Sequence, residues 1–444
     1  MVEIKYKTLW ERFKGVITPF FSGNLVSGVL MVAAAITALV FANTDLAPQF
    51  HEFWEYCLHI QLNEAELSLT LHEFVNDGLM AIFFFSIGLE IKREIIAGEL
   101  SNFKKAMLPI IGAVGGIVFP ALIYFVINWG TATTSGWGIP IATDIVFALV
   151  LLNLMGNKKA PLTLKIFITA LAVVDDIFAV LVIAFFYTDQ IVFEGLLWAF
   201  LFFFVLIGAS WIGIKTPLFY GIIGILGIWI GFFLSGVHAT IAGVITAIAI
   251  PAKVDLSEQQ FVKNIRNLID TFEDNRNTVT VFMEENQLEL VRIIQKAIRK
   301  TVPPLQAIEK VLHPFVNFII LPLFVLANTG LTIKAESFGL LLQPLSLGII
   351  FGLVLGKFLG ISLTTKLASV FKIAKLPKDV QWPQLYGAAA FAGIGFTMSI
   401  FIGELAFENQ EYVYQAKFAI LMAFILAVVL GLIIFRFFVK SKRN

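Results

Sequence analysis

The chain has 444 residues, of which 58% are hydrophobic and only 14% charged, with a formal net charge of +1. So little charge cannot build the polar surface a soluble protein of this size needs, and the class is membrane protein. The balanced charge points to no nucleic-acid partner. A single cysteine, Cys57, excludes an internal disulfide framework and any cysteine-based metal cluster.

Lys5, Lys7, Arg12 and Lys14 precede the first apolar run, Leu25–Ala42. A cleaved signal peptide ending at Val40-Phe41-Ala42 competes with a retained first helix. The length of the run and the spans that follow favour retention. Further runs of spanning length lie at Phe74–Leu89, Ala106–Ile127, Ile139–Met155, Ile166–Tyr187, Leu196–Ile214 and Leu218–Leu234. The last are Val237–Pro251, Phe315–Leu331, Leu345–Leu363, Leu385–Phe407 and Phe418–Phe438. Lipid offers no partner to an unpaired backbone group, so such runs must be helices. The expected fold is an all-α polytopic membrane protein of about 12 transmembrane helices, with residues 1–444 as one membrane domain.

The basic residues test this count. With the N-terminus inside and loops alternating, 28 of the 32 Lys and Arg fall on inside segments, leaving Lys165, Lys334, Lys357 and Lys417. A wrong count would scramble that asymmetry, and it places both termini on the cytoplasmic side. Two loops are long. The outside stretch Asn43–Leu71 is acidic and large enough for a small extramembrane element. The inside stretch Lys253–Lys310 has nine basic and nine acidic residues, with Leu288, Val291, Ile294 and Ile298 at helical spacing. It reads as a solvated helical insertion on the cytoplasmic or membrane surface. The sequence has no phosphate-cradling P-loop, so no nucleotide is expected to drive transport and an ion gradient remains.

Ionisable groups inside apolar spans are costly and mark ion or proton paths by default. Asp175 and Asp176 interrupt Leu171-Ala172-Val173-Val174 and Ile177-Phe178-Ala179-Val180. Neighbours in a helix point about 100° apart, so one carboxylate can meet a cation while the other meets a different helix. A carboxylate that accepts either a proton or a hard cation makes the two compete, which is the chemistry of exchange. The alternative is a purely structural pair within the bundle. Thr143 and Asp144 follow Gly138 and Pro140, which free backbone groups and predict a broken span. There Asp144 either joins the oxygen ligands or only neutralises helix ends. Lys357 sits deep in its span and either snorkels or pairs with Asp175 or Asp176, leaving the other acid free. Asp77 is either structural or along the path, and Glu404 falls at the outer interface.

The third to fifth spans start inside, whereas the tenth to twelfth start outside. The middle span of each trio is rich in breakers, Gly138-Ile139-Pro140 and Gly393-Ile394-Gly395. Paired discontinuous helices in oppositely oriented halves predict inverted-topology repeats, with two crossed, broken helices meeting end to end. Asp144 and Lys357 carry the charges that would offset the opposed helix ends.

Several strings together resemble the NhaA family of bacterial sodium/proton antiporters. They are Asn76-Asp77-Gly78-Leu79-Met80-Ala81, Gly88-Leu89-Glu90-Ile91-Lys92-Arg93-Glu94 and Ile139-Pro140-Ile141-Ala142-Thr143-Asp144. Next come Val173-Val174-Asp175-Asp176, Ser235-Gly236-Val237-His238-Ala239-Thr240 and Leu312-His313-Pro314. Leu355-Gly356-Lys357 and Gly393-Ile394-Gly395-Phe396-Thr397-Met398-Ser399 complete the set, in order from the second span to the eleventh. That family is itself a standard example of inverted repeats, so the topological match adds nothing independent.

The resemblance implies that Asp176 is the main cation and proton carboxylate, with Asp175 beside it and paired to Lys357 in one state. Thr143 and Asp144 would belong to the broken-helix assembly. Glu90, Arg93, Glu94, Glu309 and His313 match cytoplasmic positions tied to pH control, and His238 matches another pH-related histidine. The cargo implied is Na⁺ or Li⁺ against H⁺, with no cofactor. The setting implied is the bacterial inner membrane, in a role in pH and sodium homeostasis. A homodimer would form through a hairpin in Asn43–Leu71. The sequence departs from the family pattern at Phe358, where a proline is expected after Lys357, and in the enlarged Lys253–Lys310 loop. Two rivals stand beside this reading: a symporter for an organic anion, and a channel or non-transporting subunit.

Overall fold

The computed structural model describes residues 24–62, 65–188, 192–214, 216–252, 258–274 and 285–439. The basic residues near the two termini, with Lys215 and Lys253, lie outside the described residues, apart from Arg436. The first apolar run is helix α1, Asn24–Ala42. A short helix, α2 (Ala47–Glu55), leads into an antiparallel hairpin of β1 (Cys57–Leu62) and β2 (Ala65–Thr70), with Cys57 opposite Thr70. Leu58, Ile60 and Leu62 alternate with His59 and Gln61 there, the period-two pattern of a strand. The short helix and this hairpin occupy most of the acidic stretch Asn43–Leu71.

Thr70 and Glu73 then start the next helix reciprocally. The Glu73 N–H donates to Thr70 Oγ1 at 3.1 Å, and the Thr70 N–H donates to Glu73 Oε2 at 2.8 Å. The helix α3 spans Leu71–Ile96, followed by α4 (Phe103–Ile127). After a 3-10 segment, Thr134–Ile141, comes α5 (Ile145–Leu154). Next are α6 (Leu162–Phe186), α7 (Phe193–Ile212) and α8 (Leu218–Ser235). The insertion contains two helices packed on each other, α10 (Glu258–Asp274) and α11 (Glu285–Thr301), preceded by the short α9 (Ile241–Ala249). The chain then runs through α12 (Pro304–Asn328), α13 (Pro344–Val370), α14 (Trp382–Phe391), α15 (Phe396–Ala406) and α16 (Gln410–Phe437).

Among the described residues, ten helices are long and apolar enough to cross a bilayer, or eleven if the bent pair α14 and α15 is one span. The remaining expected span, Val237–Pro251, holds only the 9-residue α9. At the helical rise it covers roughly 14 Å, about half a hydrocarbon core. Leu288, Val291 and Ile294 do lie on a helix, α11.

Two spans are broken where the Gly and Pro residues predict. Residues 142–144 are extended between the 3-10 segment and α5, and α14 and α15 meet at 43° across 392–395. The breaks pack on each other: the Asp144 N–H donates to the Ile394 carbonyl at 2.6 Å, and Ser399 Oγ donates to the Ile139 carbonyl at 2.8 Å. Each break thereby satisfies backbone groups that the other leaves exposed. Gly393 lets the second break sit close against Leu353 in the neighbouring helix, since a Cβ there would lie 2.5 Å from the Leu353 carbonyl.

Against this pair lies α13, whose π-helical turn Gly352–Gly356 immediately precedes Lys357. A π turn admits one extra residue and re-aims the side chains that follow. Helical geometry continues without a break through Phe358 to Val370. On its other face α13 packs tightly on α4, where a Cβ on Gly360 would lie 2.2 Å from the Gly115 carbonyl. Small residues let the two backbones approach, as in membrane helix pairs generally. The approach also encloses the stem of Lys357, which is completely buried.

Candidate functional site

Charge has been brought to the point where the two breaks meet. Asp144 is the N-cap of α5, with Oδ1 accepting from the Phe147 N–H at 3.4 Å. Its Oδ2 accepts from the first turn of α15, from the Thr397 N–H at 3.2 Å and the Thr397 hydroxyl at 2.5 Å. One carboxylate therefore answers the positive ends of two helices, and so offsets helix ends as the sequence suggests. It also lines a cavity, described below, so the two sequence readings of Asp144 are not exclusive.

Asp175 and Asp176 diverge as helical neighbours must. Asp175 Oδ2 accepts from Lys357 Nζ at 2.5 Å and lies 2.7 Å from the Thr143 hydroxyl. That hydroxyl also lies 3.0 Å from the Ala392 carbonyl, so it links the acid to the second break. Asp175 Oδ1 has no hydrogen-bond partner among the described residues. The Lys357–Asp175 pair has both side chains wholly out of reach of solvent. This excludes snorkelling, which would carry the ammonium to an interface.

Asp176 points elsewhere. It lines a cavity of about 240 Å³ together with Thr143, Asp144, Thr169, Asn317 and Thr397. The same cavity is lined by Glu90 and the exposed His313, so it runs from the broken helices to the surface. At its mouth Arg93 gathers three acids: Glu309 at 2.9 Å, Glu94 at 3.0 Å and Glu90 at 3.6 Å. Their spacing on α3 puts Glu90, Arg93 and Glu94 on neighbouring turns, and α12 brings in Glu309. His313 lies beside them, 3.2 Å from the Asn317 amide nitrogen. His238 does not join this group: its ring contacts the Tyr187 carbonyl, at the far end of α6.

Thr397 and Asn317 are cavity residues that were not assigned roles from sequence. Thr397 lies inside a quoted motif, and its value emerges only when α15 is seen to begin at Asp144. Asn317 sits in a π-helical turn, Val316–Ile320, which turns it toward the cavity. No period-3.6 pattern exposes such a turn.

Residues 18–435 match the family described as Na⁺/H⁺ antiporter 1. The chain belongs to that family. It is similar to the Na⁺/H⁺ antiporter NhaA of Oleidesulfovibrio alaskensis, 44% identical over 424 residues, covering 95% of this chain and 94% of the relative. It is similar also to that of Sulfurimonas denitrificans, 42% identical over 97% of this chain and 98% of the relative. The NhaA of Bacteroides fragilis is 40% identical over 96% of this chain and 98% of the relative. As a member of the antiporter family the chain is a transporter rather than an enzyme. The buried acids at the meeting helix breaks therefore belong to an ion-exchange machine, with Na⁺ and H⁺ as cargo rather than cofactors.

Proposed function

We propose that the protein performs electrogenic exchange of cytoplasmic Na⁺, or Li⁺, for external protons by alternating access around Asp175 and Asp176. The observation that carries this reading is the division of labour between adjacent acids. Asp175 is held by Lys357 and Thr143, whereas Asp176 looks into the cavity. Asp176, the unused Oδ1 of Asp175, the Thr143 hydroxyl and backbone carbonyls of the breaks supply hard oxygen donors for a small cation. A proton on those oxygens removes the charge that a cation needs, so binding one displaces the other. Lys357 serves as the counter-charge that makes two acids tolerable in lipid. When a cation draws Asp175 into its shell, the ammonium is left without its partner, and that coupling links occupancy to conformation.

In this reading the broken helices cross within inverted repeats, and the Arg93 end of the cavity faces the cytoplasm of a bacterium, in keeping with the loop charges. The Glu90, Arg93, Glu94, Glu309 and His313 group adjusts transport to pH, and His238 acts separately. The hairpin Cys57–Thr70 mates two copies into a homodimer. The insertion 253–310 is an appendage of a single transport domain. Proton movement in proteoliposomes on addition of Na⁺, Li⁺, K⁺ or Ca²⁺, across a pH series, tests the reading. Na⁺ and Li⁺ should move protons, with apparent Na⁺ affinity weakening as pH falls because protons occupy the shared oxygens. Flux driven only by K⁺, or only by an added organic anion, would overturn it.

A further inference from the structure

The 3-10 segment Thr134–Ile141 delivers Thr143 and Asp144 to the site, yet its own hydrogen bonds hold it poorly. Helices of this kind bond with poorer geometry than α-helices and seldom run past three or four residues. Gly136, Gly138 and Pro140 weaken the segment further. Side chains of the surrounding helices support it instead. From α4, Tyr124 donates its hydroxyl to the Thr133 carbonyl at 2.6 Å, just before the segment. From α15, Ser399 donates to the Ile139 carbonyl at 2.8 Å.

A third support differs in kind, because it comes from the helix that carries the acids. Tyr187 is the C-cap of α6, about three turns beyond Asp176. Its hydroxyl donates to the Ser135 carbonyl at 2.8 Å and accepts from the Gly138 N–H at 3.1 Å. Those two groups are three residues apart, the spacing that closes one 3-10 turn, so a single phenol bridges both ends of that turn. Gly138 leaves room for it: a Cβ there would lie 2.6 Å from the Tyr187 hydroxyl oxygen. Beside it the Phe186 and Trp137 rings meet edge to face, with centroids 5.0 Å apart. At the other end of the same stretch, the Thr143 hydroxyl lies 2.7 Å from Asp175 Oδ2. The acid-bearing helix therefore holds the broken span at two points, roughly 18 Å apart along its axis.

The two holds answer differently to occupancy. The Thr143 contact is made to a carboxylate whose charge and partners change when a proton or cation arrives. The Tyr187 phenol is buried and keeps its proton across the working pH range, so its hold does not depend on what the site contains. We propose that Tyr187 is a positioning residue for cation binding. Its hydroxyl fixes the broken span in register on α6, so that the Thr143 hydroxyl and neighbouring carbonyls stay at the reach of Asp175 and Asp176 that a small cation needs. This role rests on the exchange reading above. A proton needs only one carboxylate oxygen, whereas a cation needs several oxygens together. Loss of the anchor therefore weakens cation binding and leaves proton binding in place. The smaller ion suffers more, because Li⁺ requires shorter contacts than Na⁺ and tolerates less slack among its ligands.

Proton release on addition of NaCl or LiCl to the purified protein in weakly buffered detergent tests it, with Tyr187→Phe and Tyr124→Phe compared. Each variant removes a phenol hydroxyl from the same stretch of chain, but only Tyr187 sits at the end of α6. Tyr187→Phe should raise the half-saturating Na⁺ concentration about tenfold, the factor one hydrogen bond is worth, and the Li⁺ value further. The amount of proton released at saturation should not change. Tyr124→Phe should lower the melting temperature and keep the parental ratio of Li⁺ to Na⁺ half-saturation. Unchanged half-saturation in Tyr187→Phe, or the same shifts in Tyr124→Phe, would overturn the positioning role. If Tyr187→Phe loses its monodisperse elution, Gly138→Ala, whose methyl group pushes the hydroxyl aside, is read in the same way. Absence of release from the native chain with either salt would sink the exchange reading and this role with it. Release from the native chain with no shift in Tyr187→Phe would sink the role alone.

Discussion

The group of Asp144, Asp175, Asp176 and Lys357 and the group of Glu90, Arg93, Glu94 and Glu309 use nearly the same residue types. One lies at the meeting of the helix breaks and the other at the cavity mouth. Each combines three acids with one basic residue, but the surroundings differ. In the first, every side chain is buried, and Asp144, Asp175 and Lys357 are each held by a hydrogen bond or ion pair. In the second, the Arg93 side chain is 34% exposed and its partners are reached by solvent to differing degrees. Water and salt blunt a surface ion pair, whereas a buried one must be satisfied by the protein itself. Position, more than residue type, therefore separates the buried group from the one at the rim.

The sharpest way to break that contrast is to remove one partner at a time. Lys357→Met leaves Asp175 buried without its counter-charge. It should cost roughly 3–5 kcal/mol of stability, the usual loss for half of a buried pair. Thermal unfolding in detergent reads the loss, and combining Lys357→Met with Asp175→Asn should recover most of it. A smaller effect is expected at the helix ends. Thr397→Val deletes the hydroxyl on Asp144 while leaving the backbone donors, costing about 1.5–3 kcal/mol, the worth of a hydrogen bond to a charged group. Exchange should slow with it, and Thr397→Ser should restore both. Gly393→Ala should slow exchange as well, because the added methyl group meets the Leu353 carbonyl. At the rim, Arg93→Ala should cost under about 1 kcal/mol. It should move the pH dependence of Na⁺-driven proton flux more than its maximal rate. Loss of all flux in that variant would erase the distinction between rim and centre.

Most of the fold was legible because lipid is an unforgiving solvent: apolar runs had to be helices, and Gly and Pro marked where two of them break. The exception, α9, shows the limit of run length. Val237–Pro251 is apolar enough for a span, but its first residues, after the left-handed turn at Gly236, are not helical until Ile241. The central charges were legible as intruders in apolar sequence. Which acid Lys357 would meet was legible only through the family resemblance, since it depends on the approach of α13 to α4 and on the π turn before Lys357. Such turns break helical phase without leaving a signature in composition. Thr397, Asn317 and the Glu404–Lys417 ion pair were likewise hidden, because ordinary polar residues gain their meaning from partners far away in sequence.

The most direct test of the central claim is proton release by the purified protein in weakly buffered detergent when NaCl is added. The account predicts release in the native chain and none in Asp176→Asn, whose elution profile and melting temperature stay close to those of the parent. Undiminished Na⁺-triggered release from Asp176→Asn would contradict it, because the proton would then be leaving a different group.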